Sequence, residues 1–283
     1  MILKNLIALS TALAVFSFTS CNTGNETKTD ALTDSVPGDA VAEPVNPEAE
    51  FKFTYTIANL PSPLLILDEF AQSGLPVNVS LLNSTENARK YQTSLKLAFN
   101  YGIYGIDLGY CVTNNRTLET IKYYSTCKQL AEQLNLSETF NRFVNRFESN
   151  AENKDSLSRI IDEAYAATDA YLRNNERLLN ASQALAGSWL EAQYITVSLL
   201  KNAERNENTE NLFQRIWEQR FYLDNIAQLL EQFKGDKELE KIHSDFAALL
   251  AIYKEPAEAT EINKDFLHKL GAKLDEVRKN IIQ

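Results

Sequence analysis

From Ser84 onward the apolar residues of this chain recur every three to four positions, and polar turn signals interrupt them at intervals of about one helix length. That period leaves room for little besides amphipathic helices. Helices are expected at about 85–112, 117–134, 138–150, 156–178, 181–204, 208–233, 237–254 and 261–281. Turn and cap residues separate them: Thr113-Asn114-Asn115, Asn135, Asn150 to Asp155, Asn202 to Asn208, Gly235-Asp236 and Pro256. Short connections predict antiparallel neighbours, so the fold class is all-α, a bundle of αα-hairpins with about eight to nine helices. Ser62-Pro63 opens a further short helix and Gly74 closes it. Phe51, Phe53, Tyr55 and Ile57 alternate with Lys52, Thr54 and Thr56. That period of two predicts a short extended N-terminal arm laid across the helices, at the head of a helical domain covering 51–283.

The first twenty residues have a different build. Lys4 supplies a positive start, Leu6 to Phe18 an apolar stretch too short to span a bilayer, and Thr19 and Ser20 the small residues before a cleavage point. From Asn22 to Glu50 the chain turns to Asn, Thr, Asp, Glu, Ala, Pro and Val, with Pro37, Pro44 and Pro47. Such a segment buries too little apolar area to offset its ordering entropy, and it reads as a disordered tether spanning about 30 Å on coil statistics.

Phe18-Thr19-Ser20-Cys21 resembles the lipobox of bacterial lipoproteins, with phenylalanine where leucine is usual. The resemblance implies a signal peptide over 1–20 and lipidation of Cys21, giving a membrane partner through two or more acyl chains and a tether over 21–50. Asn22 after the cysteine implies, by analogy with Gram-negative sorting, transport to the outer membrane, facing the periplasm or the cell surface. Asp34-Ser35-Val36 is similar to the O-glycosylation acceptor of Bacteroidota. Tyr101-Gly102-Ile103-Tyr104-Gly105-Ile106-Asp107-Leu108, followed by the Asn153-Lys154-Asp155-Ser156 loop, resembles a group of uncharacterised helical lipoproteins of that phylum. This second likeness brings no activity, ligand or partner with it.

Charge and inventory narrow the function. With a net charge of −10 and lysines mixed among glutamates, the chain repels phosphate backbones, which argues against a nucleic-acid partner. Two histidines, His243 and His268, stand on separate helices. There is no His-Glu-x-x-His, serine elbow, glycine-rich loop after a strand, or close cysteine pair. No cofactor, metal or catalytic residue is therefore assigned. Cys111 and Cys127 flank a turn centred near Asn115 and fall out of register by roughly 12 Å, beyond the ~7 Å a disulfide spans, so two free buried thiols are expected.

Three of the nine glycines, Gly102, Gly105 and Gly109, lie within one predicted helix, where each costs about 1 kcal/mol relative to alanine. Either another helix packs closely there, or the groove takes a ligand between Tyr101, Tyr104, Asp107 and Tyr110. A faint repeat aligns Gly102-Ile103-Tyr104 with Gly187-Ser188-Trp189 at an offset of 85, and makes Trp189 and Glu191 the equivalent candidates. A lipid-anchored envelope protein that binds a partner protein or ligand without chemistry is the leading expectation. A structural lipoprotein without a specific ligand, and an acid-dependent glycan hydrolase, are the alternatives. Metabolic labelling with a fatty-acid analogue should mark the native chain. Cys21→Ala should lose the label and move to the soluble fraction, and a labelled, membrane-bound Cys21→Ala protein defeats the assignment.

Overall fold

Two helical stretches carry almost no charge, and a helix that is apolar all round belongs in the interior. Over Ser94–Thr113 the only charged residues are Lys96 and Asp107, and over Leu178–Leu200 the only one is Glu191. In the computed structural model, which describes residues 46–283 except 152, 175, 176 and 236, these two helices form the centre. The described residues fold into ten α-helices and contain no strand. They run α1 (Pro47–Asn59), α2 (Pro63–Gln72), α3 (Ser94–Thr113), α4 (Thr117–Gln133), α5 (Ser137–Ser149), α6 (Lys154–Asn174), α7 (Leu178–Leu200), α8 (Glu210–Leu230), α9 (Lys237–Tyr253) and α10 (Lys264–Ile282). The expected signal peptide, Cys21, the expected glycosylation motif and most of the expected tether lie outside the described residues.

The main packing contact joins α3 and α7, which run in the same direction. Near their starts Asn180 Nδ2 donates to Ser94 Oγ at 2.8 Å, and farther along Ser188 Oγ donates to the Gly102 carbonyl at 3.3 Å. Between those points the backbones touch. A Cβ at Gly102 would stand 2.0 Å from the Ala184 carbonyl oxygen, and a Cβ at Gly187 2.1 Å from that of Phe99. The contact is reciprocal, because each glycine meets the carbonyl three residues before the other glycine.

The repeat is therefore visible in three dimensions. α3 packs on α4 as α7 packs on α8; α4 meets α5 as α8 meets α9; α5 meets α6 as α9 meets α10. Within the units α6 returns to α3 as α10 returns to α7, and each closing helix also touches the other unit's central helix. α1 and α2 lie outside the repeat, packing on α8 and on α3, α7 and α8.

Local chemistry sets the boundaries. Asn115 and Asn135 both adopt φ of 55°, and the next amides reach back, Arg116 N to Cys111 O at 2.8 Å and Leu136 N to Ala131 O at 2.7 Å. These are left-handed C-terminal caps, where asparagine is tolerated next after glycine. The placement of that turn keeps Cys111 and Cys127 apart, and both are buried and unbridged.

Two expectations are corrected. Residues 51–57 are helical, not an extended arm: Asn46 caps α1, Pro47 sits in its first turn with Glu48 and Glu50, and Ala49, Phe53 and Thr56 form the buried stripe. Pro47–Glu50 thus belong to the domain and not to the tether. The helix expected from 85 begins at Ser94, capped by Thr93, because Thr85–Lys90 is a 3₁₀ turn that Tyr91 ends by burying its ring.

Gly102→Ala and Gly187→Ala should each destabilise the fold by more than the ~1–3 kcal/mol of ordinary overpacking, despite alanine's better helix propensity. Gly109 meets only side chains, those of Leu64 and Leu67, so Gly109→Ala should cost less. Urea midpoints decide the matter; unchanged midpoints at both 102 and 187 contradict the backbone contact.

Candidate functional site

All five ligand candidates are interior: Tyr104, Asp107, Tyr110 and Glu191 are fully buried, and Trp189 is 3% exposed. The glycine groove is filled by the protein itself. α7 occupies Gly102, the Tyr165 hydroxyl lies against Gly105, and Leu64 covers Gly109. The reading of an open groove is thereby corrected, since the close helix packing that three glycines permit has used the space.

The structure brings Asp107 and Glu191 together, one from each central helix. Glu191 holds Arg278 of α10 through two bonds, Nε to Oε2 at 2.5 Å and Nη2 to Oε1 at 2.7 Å. Arg278 also donates to the Leu81 carbonyl at 3.1 Å and lies over the Tyr194 ring. Burial alone would lower its pKa, but Glu191 reverses this and keeps the guanidinium firmly charged. Removing one member of such a buried pair costs about 3–5 kcal/mol.

Asp107 Oδ2 accepts from the Asn83 amide at 3.1 Å, while no donor faces Oδ1. Its neighbour is the Glu191 carboxylate, itself an acceptor, so a bond between them requires a proton on Asp107. Burial, and then the negative charge of Glu191, push the Asp107 pKa well above the usual carboxylate range, Arg278 opposing them. Holding its proton would let Asp107 donate to Glu191.

Tyr104 does not serve Asp107, as its spacing suggested. Its hydroxyl donates to the Ser84 carbonyl at 2.6 Å. Tyr110 accepts from the Asn78 amide at 2.9 Å, and Trp189 Nε1 donates to Gln219 at 2.9 Å. Three residues the sequence reading missed complete the network. Asn83 donates to the Tyr91 hydroxyl at 3.0 Å and accepts from Tyr123 through its carbonyl at 3.0 Å, and Asn100 donates to the Ile281 carbonyl at 3.3 Å. Arg278 is the third. It interrupts the apolar stripe Leu270, Leu274, Val277 and Ile281, and a charge there was the available signal.

Chemically this is a locked polar core, with both carboxylates committed inside it. Among the described residues no three His, Cys, Asp or Glu side chains cluster as metal ligands, and no helix is long and apolar enough to cross a membrane. His243 and His268 remain apart on α9 and α10.

The surface offers a different feature. Between α1 and α8 runs a groove of about 210 Å³, walled by Phe51, Lys52 and Tyr55 on one side and Asn225 and Gln228 on the other. Phe51 is 70% and Tyr55 53% exposed, their rings stacked at 6.4 Å. One turn before Asn225, exposed Phe221 sandwiches Arg220 with Trp217, the guanidinium 4.1 Å and 3.2 Å from the two ring centres. Comparison with known families, curated proteins and solved structures finds no match to this chain.

A raised folded-state pKa means that Asp107 contributes stability that is complete below the unfolded value near ~3.9 and is lost as pH rises through the folded value. Asp107→Asn, which mimics the protonated acid, should match the native chain near pH 4 and exceed it increasingly toward pH 8. Parallel melting temperatures across that range would show that Asp107 is not held neutral.

Proposed function

We propose that the chain is a lipid-anchored envelope lipoprotein whose helical domain binds a partner protein and performs no chemistry of its own. The lipobox at Phe18 to Cys21 and the tether behind it support the address. The observation that supports binding is the aromatic groove of α1 and α8. Soluble domains seldom expose such clusters without a use for them, and tyrosine, tryptophan and arginine are the residues in which interface energy concentrates. The groove is walled on one side by α1, the first helix of the domain.

The hydrolase reading gains nothing from Asp107 and Glu191. Their separation from solvent and the guanidinium on Glu191 suit a core pair better than an acid and base acting on a glycan.

The test is a photo-crosslinking residue placed at Phe51, at Phe221 and, as a control, at His268, in the lipidated chain in its own envelope. Positions 51 and 221 should give one discrete adduct in common, and 268 none. Phe51→Ser with Tyr55→Ser should abolish the adduct from position 221 without moving the melting temperature. The same adducts from all three positions, or none from 51 and 221, reject the groove as the partner site.

A further inference from the structure

The two units repeat each other's packing but differ in how their interiors are filled. At the offset of 85 that pairs Gly102 with Gly187, Leu190 aligns with Gly105 and Gln193 with Leu108. In the second unit Gln193 accepts the Tyr253 hydroxyl at 3.0 Å, and Trp189, Phe246 and Tyr253 pack ring against ring. In the first unit glycine and leucine stand at those two positions, and a cavity of about 50 Å³ remains between α3, α4, α5 and α6.

Its wall is almost wholly apolar. Gly105 and Leu108 form one side, and Phe140, Phe143 and Phe147 of α5 form the outer side. The only polar atoms available come from Tyr101, Tyr124, Tyr165 and the Cys127 thiol. The Tyr124 hydroxyl is buried and makes no hydrogen bond among the described residues. The Tyr165 hydroxyl is likewise buried without a well-formed bond, with Ser188 beside it. Buried polar groups are nearly always satisfied, so the Tyr124 hydroxyl at this cavity calls for an acceptor or donor from outside the chain. α5 is the weakest wall: Thr139 and Phe147 alone are buried along it.

We propose that this cavity is a binding site for an uncharged, mainly apolar molecule carrying a hydrogen-bonding oxygen, in the manner of an aliphatic alcohol. No charged side chain lines it, so an ion would enter without a partner. The oxygen meets Tyr124, and the chain lies among the phenylalanine rings of α5. The volume admits one end of such a molecule. The site is separate from the groove of α1 and α8, and it stands or falls without the partner reading.

Octan-1-ol is the probe, titrated into the purified chain by calorimetry and followed by melting temperature. Saturable binding at a single site and a raised melting temperature are expected. Ala164→Phe, which fills the cavity, should abolish both; Phe51→Ser with Tyr55→Ser should leave both unchanged. Tyr124→Phe removes an unsatisfied hydroxyl, so it should raise the melting temperature of the free protein while weakening octan-1-ol several-fold. If Ala164→Phe fails to fold, the Tyr124→Phe pair of readings still decides. No saturable binding, or binding that neither Tyr124→Phe nor a folded Ala164→Phe protein changes, overturns the assignment.

Discussion

The close approach of α3 and α7 sets the geometry of everything around it. Two helices can bring their backbones together only where side chains vanish, and here Gly102 and Gly187 vanish on opposite faces of one contact. Two interior glycines sacrifice roughly 2 kcal/mol of helix propensity. Dispersion along two nearly uncharged helices, each buried over most of its length, is what offsets that loss. With the axis fixed, each central helix gathers its own three followers, and the outer helices keep their charges toward water.

Placing Asp107 and Glu191 on that same axis gives the core a polar requirement as well as an apolar one. A buried ion pair adds little net stability, since desolvation consumes most of the attraction, but leaving half of it alone is expensive. Arg278 therefore fixes the register of α10 against α7: slipping one turn would strand Glu191. The raised pKa of Asp107 plays the matching part between α3 and α7, since a retained proton relieves the repulsion between the two acids. Asn83 brings the loop before α3 into the same arrangement through its amide, its side chain and its carbonyl.

Much of the helical fold was legible in the sequence, because the apolar period and the asparagine turns are local signals. Asn115 and Asn135 end their helices where the spacing places them, and Cys111 stays out of register with Cys127 as the turn requires. The beginning of α1 misled: on four alternating aromatic and aliphatic residues a period of two overrode the cap at Asn46 and the proline after it. Glycines 102, 105 and 109 announced a close approach but not what approaches, which depends on long-range pairing. The aromatic groove was hidden for a related reason. Phe51 and Phe221 look like core residues in the sequence, and only packing shows which apolar side chains are left outside.

The carbonyls of Ile281 and Ile282 accept from Asn100 and Tyr91, and Arg278 from the same turn neutralises Glu191. The first unit and α7 are synthesised before any of these groups exist. Until α10 has emerged, a nascent chain holds an uncompensated acid at its centre and has reason to stay open. α10 follows α7 in the chain, so the helix that locks the core is made after the helix whose acid it neutralises.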